Sequence, residues 1–108
     1  MPKNTLSKKK DLDQIFKTGL SFYCPFLGLK YLANKLEFNR LAIIISLKVS
    51  KSAVVRNKIK RQIREIIRND LPKIEGFYDI VVIVRKGSET MTFFEIREAL
   101  LKLTKRLK

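Results

Sequence analysis

The chain has 108 residues and carries 24 Lys and Arg against 10 Asp and Glu, a formal charge of +14 at pH 7 with no histidine to adjust it. Its 45 % apolar content supports one folded core and excludes intrinsic disorder, while a single cysteine, Cys24, excludes an internal disulfide and, without histidine, a Cys/His zinc site. The longest wholly apolar runs, Leu41–Ile45 and Ile80–Val84, are five residues each, against the roughly 20 that a membrane-spanning helix requires.

In chain order, the first predicted element is a short amphipathic helix over residues 8–18, with Ser7 as its cap and Leu12, Ile15 and Phe16 at i, i+3 and i+4. Gly19 stands where a helix C-terminus favours positive φ. FYCPFLGLKYL at 22–32 is aromatic and β-prone, but Pro25 and Gly28 suit it to an edge or bulged strand. ANKLEFN then reads as a hairpin loop leading into RLAIIISLK at 40–48, a strand whose solid apolar centre predicts burial on both faces. A central helix over 52–70 follows, then a third strand, DIVVIV at 79–84, ending in Arg85, Lys86 and Gly87. In the last segment Thr92 and Glu95 have capping-box spacing, and Phe94, Ile96, Ala99, Leu100, Leu103 and Leu107 form the expected buried stripe. No repeat, linker or low-complexity tract divides the chain, so a single domain over 1–108 is expected, an α/β sandwich with one sheet.

The charge surplus destabilises the compact state by self-repulsion unless a polyanion is at hand. Nucleic acid is the first candidate partner and an anionic membrane surface the second. The basic N-terminus, MPKNTLSKKK, is followed by Asp11 and Asp13 with no apolar segment, so it does not read as a secretory signal, and the expected compartment is the cytoplasm.

The central helix is the most specific segment. On a wheel of ~100° per residue, Val55, Ile59, Ile63, Ile66 and Ile67 share one side. Beside them lie Lys60, Arg64, Asn57, Arg68 and Arg61, with Arg56 between arc and stripe and no acid in the arc. A merely solvated helix interleaves Glu with Lys at i, i+4. Here Arg56 with Lys60, Lys60 with Arg64, and Arg64 with Arg68 are like-charge pairs, each costing roughly 0.2–0.5 kcal/mol in isolation. Glu65 alone offers relief, to Arg61 and Arg68. Such one-sided repulsion makes sense where phosphates lie along the helix, since guanidinium groups grip phosphate oxygens bidentately. Asn57, the lone amide of the arc, suits either a nucleic-acid contact or a hydrogen bond to a neighbouring loop.

AVVRNKIKRQIRE, Ala53 to Glu65, resembles the signature helix of the bacterial ribonuclease P protein subunit, an Arg-Asn-Arg core followed by Lys-Arg and Arg-Glu. The matching residues here are Arg56, Asn57, Lys58, Lys60, Arg61, Arg64 and Glu65, with Lys58 replacing the third core arginine. The likeness extends over nearly the whole chain, through Phe16 to Gly19, the strand at 40–48, Asp79 to Gly87 and the final helix. Upstream of Ala53 the family's glycine-containing spacer is missing, although Lys48 and Lys51 keep the loop basic.

The resemblance implies a mixed sheet of about four strands in α-β-β-(β)-α-β-α order, with a left-handed crossover through the central helix. It also implies an accessory subunit, monomeric in the holoenzyme, that binds a catalytic ribonuclease P RNA and the 5′ leader of precursor tRNA while the RNA cleaves. RNA contacts are then expected from Lys48, Lys51, Arg56, Asn57, Lys58, Lys60, Arg61, Arg64 and Arg68. The leader cleft of the family, between first helix and sheet, maps onto Leu12, Phe16 and Lys30, the last standing where relatives often have an aromatic.

The chemistry agrees with this division. Without His there is no imidazole acid or base, Cys24 has no His partner, and the ten carboxylates show no evident cluster for two metal ions. No catalytic protein residue is therefore expected, and Mg²⁺ would be held by the RNA. The alternatives are a ribosomal-type RNA binder or a DNA-binding helix module, but nothing supplies a zipper or second recognition helix. Membrane-surface binding would call for Trp, Phe and Leu opposite the basic face, where this helix has Val and Ile.

Overall fold

The computed structural model describes Leu6 and residues 8–70 and 76–106. The element order is α1 (Lys9–Thr18), β1 (Leu20–Tyr23), β2 (Leu27–Ala33), β3 (Arg40–Ile45), α2 (Ala53–Asp70), β4 (Tyr78–Val84), a 3-10 turn at Ser88–Thr90 and α3 (Phe93–Thr104). The four strands form one mixed sheet in the order β1-β2-β4-β3, antiparallel except for the parallel pair β3 and β4.

Strand alternation divides the core between two faces. Leu27, Leu29 and Tyr31 of β2 and Ile80, Val82 and Val84 of β4 pack with Ile59, Ile63, Ile66 and Ile67 of α2 and Ile96, Leu100 and Leu103 of α3. On the opposite face Val81 packs with Ile15 of α1 and with Leu6, flanked by the half-buried Leu12, Leu32, Ala42 and Ile83. The Thr92 side chain accepts from the Glu95 N–H and the Glu95 carboxylate accepts from the Thr92 N–H, so the expected capping box starts α3.

Several sequence expectations are corrected. The 22–32 segment is two strands, because Pro25, lacking an N–H, sits in a turn that Cys24 closes by donating to the Leu27 carbonyl at 2.8 Å. The 33–39 segment is not a hairpin loop, since β4 lies between β2 and β3 and pairs with both. β4, the most buried strand, takes the interior place and leaves β3 at the edge. β3 therefore ends at Ile45 and is only half-buried, with Ile44 exposed. Gly19 is extended, at φ −73°, and its glycine answers crowding instead: a Cβ there would lie 2.5 Å from the Ile15 carbonyl oxygen and 2.8 Å from that of Tyr31. The α1 cap position is Lys8, without a side-chain cap bond. Ser7 and Leu107 lie outside the described residues. Phe94 and Val55 are exposed rather than buried in their stripes.

The hand of the β3–α2–β4 crossover follows from the same Cys24–Leu27 bond. Leu27 faces the helical layer of α2 and α3 and directs its peptide groups toward β1. In an L-polypeptide, a residue facing the viewer on an ascending strand points its N–H and C=O to the viewer's right. Seen from the α2 side with β2 ascending, β1 is thus on the right, with β4 and then β3 on the left. Turned so that β3 and β4 ascend, the view has β4 to the left of β3. A crossover in front of the sheet that steps left is left-handed, as the resemblance implies and against the strong general preference.

An ionic knot ties α1 to this frame. Arg40 of β3 donates from Nε and Nη2 to the two carboxylate oxygens of Asp79 on β4, at 2.8 and 2.6 Å, and from Nη1 to Asp11 of α1 at 3.1 Å. Asn34 Nδ2 also donates to Asp79, at 2.9 Å. The hydrogen bond to Asp79 raises the Arg40 guanidinium above its ordinary range, against the opposing effect of burial. Because that value is raised, Arg40's contribution is complete below the free guanidinium range and is lost only as pH climbs through the folded value, so it is constant across neutral pH. Asp79→Ala should cost about 2 kcal/mol in urea unfolding, because the half-buried Arg40 guanidinium loses its bidentate partner and water reaches it only in part. A loss under about 1 kcal/mol would mean that the Arg40–Asp79 pair adds no more than a surface ion pair.

Candidate nucleic-acid interface

The rotation of α2 is set by Ile59, Ile63, Ile66 and Ile67, all buried against the sheet and α3. The remaining circumference is thereby turned outward. Asn57, Lys58, Arg61, Arg64 and Arg68 are exposed, while Arg56 and Lys60 are half-buried. Arg56 donates from Nη1 to the Ser50 carbonyl at 2.8 Å, bracing the loop that carries Lys48 and Lys51, both exposed. Among the described residues, no acid lies within ion-pair distance of Lys60, Arg61, Arg64 or Arg68; Glu65, at helical spacing from Arg61 and Arg68, pairs with neither. Asn57 likewise makes no hydrogen bond to a described residue, which leaves its amide open.

The first turn of α2 contains no acid, and Ser52 Oγ accepts from the Val55 N–H at 3.4 Å. The positive end of the helix dipole thus adds to Lys48 and Lys51. Since β3 and β4 are parallel, the loop after β3, the start of α2, Arg85, Lys86 and the β1–β2 turn all gather at one end of the sheet. Cations are concentrated there.

The opposite face is covered by α1 only in part. Strand register aligns Ser21, Lys30, Val81 and Ala42 in one row and Tyr23, Gly28, Ile83 and Ile44 in the next. Ile15 packs over Val81, and the half-buried Leu12 packs beside them. Phe16, beyond them, is 43 % exposed. Lys30 Nζ donates to Ser21 Oγ at 2.8 Å and stands 5.5 Å from the Phe16 ring centroid. The structure thus brings Phe16 and Lys30 together at the mouth of a cleft. Its second row holds residues that the sequence reading did not single out: Tyr23, Ile44, Ile83 and, continuing β4, Arg85. Parity with Lys30 would have found them, but only with the correct strand order.

Of the other aromatics, Tyr31 is buried, and Phe26 packs on Gly87, whose φ of +107° and missing Cβ admit the ring. A second depression, about 660 Å³, lies between the β1–β2 turn and α3 and is bordered by Phe26, Phe94, Glu95 and Glu98. Among the described residues no three His, Cys, Asp or Glu side chains are grouped so as to hold a metal ion, and no helix is long and apolar enough to cross a membrane.

Comparison with known proteins decides what this surface belongs to. The family model described as Ribonuclease P matches residues 1–108. The chain belongs to the ribonuclease P protein family. It is 37 % identical over 107 residues to the ribonuclease P protein component of Clostridium botulinum (strain 657 / Type Ba4), covering 98 % of this chain and 96 % of the relative. The solved ribonuclease P protein of Thermotoga maritima superposes with a TM-score of 0.85 at 35 % identity, covering 96 % of this chain and 97 % of that one. That of Staphylococcus aureus gives 0.86 at 34 % identity, covering 97 % and 98 %. Membership makes this chain a protein component of an endoribonuclease complex of tRNA processing, with ribonuclease P RNA as its partner.

Replacing both Arg61 and Arg64 by Glu should weaken binding to ribonuclease P RNA and lower the slope of log K against log salt by about 1.5, the share of two lost phosphate contacts. Filter binding across a salt series reads this directly, and an unchanged slope would place the RNA elsewhere.

Proposed function

We propose that the arc of α2, with Lys48 and Lys51, grips the backbone of ribonuclease P RNA, and that the cleft between α1 and the sheet receives the single-stranded 5′ leader of precursor tRNA. The observation that carries this reading is the arc of Arg and Lys with no acid partner among the described residues, held outward by a buried isoleucine stripe. Single strands are bound by basic walls combined with apolar or aromatic surfaces for unstacked bases. Phe16, Lys30, Ile44 and Ile83 supply both kinds of group. In this reading cleavage belongs to the RNA, Mg²⁺ is held there, and the protein acts as a cytoplasmic monomer within the ribonucleoprotein.

The protein added to its matching RNA should restore leader removal at low Mg²⁺, while the protein alone, rigorously freed of RNA, should cut nothing. Cleavage by the protein alone would overturn the assignment of catalysis. Phe16→Ala should lower affinity for leader-bearing precursor more than for mature tRNA in equilibrium binding to the holoenzyme. Equal losses would assign Phe16 to packing alone.

A further inference from the structure

The second row of the cleft has an arrangement of its own. Tyr23 and Gly28 are register partners on β1 and β2, and the Tyr23 ring lies against the glycine: a Cβ at Gly28 would meet Cε1 at 2.5 Å and Cδ1 at 2.6 Å. Any other residue at 28 would drive the ring off the sheet. Tyr23 nonetheless remains 52 % exposed, on the sheet face that α1 leaves open. The Arg85 guanidinium carbon lies 5.7 Å from its ring centroid. The neighbouring row offers no aromatic on the strands, because Lys30 fills that place and its ammonium is engaged by Ser21 and the Phe16 ring.

An exposed aromatic ring seated against a glycine, beside an arginine and within a basic cleft, has the parts of a single-nucleotide subsite: a π surface for an unstacked base and a cation for its phosphate. A packing role alone would not require so much of the ring to face solvent, nor a glycine to receive it. We propose that Tyr23, seated on Gly28, is the base-stacking platform of the leader cleft in this chain, with Arg85 holding the phosphate of the stacked nucleotide. This rests on the leader-binding reading above. The subsite lies one row farther along the sheet than Lys30, toward the end where the β3–α2 loop and Arg85 gather.

The test uses the reconstituted holoenzyme and measures binding of precursor tRNA with its leader, of mature tRNA, and of precursors carrying one abasic nucleotide at successive leader positions. Tyr23→Ala should weaken leader-bearing precursor about 5- to 150-fold, the range for loss of one base–aromatic stack. It should leave mature tRNA and ribonuclease P RNA affinity unchanged, and Tyr23→Phe should retain full affinity. One abasic position should cost as much as Tyr23→Ala in the wild-type complex and nothing further in the variant. Gly28→Val, displacing the ring, should show the same coupling at the same position. Equal losses on precursor and mature tRNA, or no abasic position coupled to Tyr23, would overturn the platform while leaving a leader preference of the wild-type complex intact. Absence of that preference in the wild type would remove the leader reading and this subsite together.

Discussion

The outward set of the α2 cations depends on how firmly four isoleucines hold the helix. Burial of Ile59, Ile63, Ile66 and Ile67 contributes roughly 1.5–3 kcal/mol each. The like-charge pairs Arg56–Lys60, Lys60–Arg64 and Arg64–Arg68 cost only roughly 0.2–0.5 kcal/mol each. The apolar term wins severalfold, so the helix can carry a row of cations that no described acid pairs, without rotating to relieve them. The backbone of such a ridge is set before its partner arrives, so the ordering charged against binding falls on the exposed side chains alone.

The strand order does for the cleft what the stripe does for the ridge. With β4 in the interior, the edge strand β3 projects Arg40 toward both Asp79 and Asp11, and α1 is tied at one end of the face while the other end stays open. Because β3 runs parallel to β4, the open end of the cleft and the N-terminal end of α2 lie at the same end of the sheet. The proposed paths of structured RNA along the ridge and of a single strand in the cleft then meet at the end that carries the basic loop of Lys48 and Lys51.

The sequence made the ridge legible because its signal is local: period, charge and the absence of acids within one helix. The two helices flanking it were legible for the same reason, down to the Thr92–Glu95 cap. The cleft was only half legible. Phe16 and Lys30 came from family likeness, whereas Tyr23, Ile44 and Ile83 become neighbours only through pairing between distant strands. An alternating run such as 27–33 states which residues share a face but not which strand lies alongside. The apolar run of β3 misled for a related reason. Leu41, Ile43 and Ile45 face α2 and Ala42 faces α1, so the strand has apolar positions on both sides although it ends the sheet. The expectation of positive φ at Gly19 failed because the glycine is there to let two carbonyl oxygens approach.

The placing of β3 has one more consequence. Its outer margin bears backbone donors and acceptors that another copy could adopt as a template, and among the described residues the Leu6 N–H covers part of that margin by donating to the Leu41 carbonyl. Ile44 and Leu47 add greasy surface beside it. Mutual repulsion between molecules of charge +14 keeps these margins apart while the protein is free. The excess of cations is thus a colloidal safeguard as well as a means of gripping RNA: it guards a seam of unfinished sheet during the interval between synthesis and assembly.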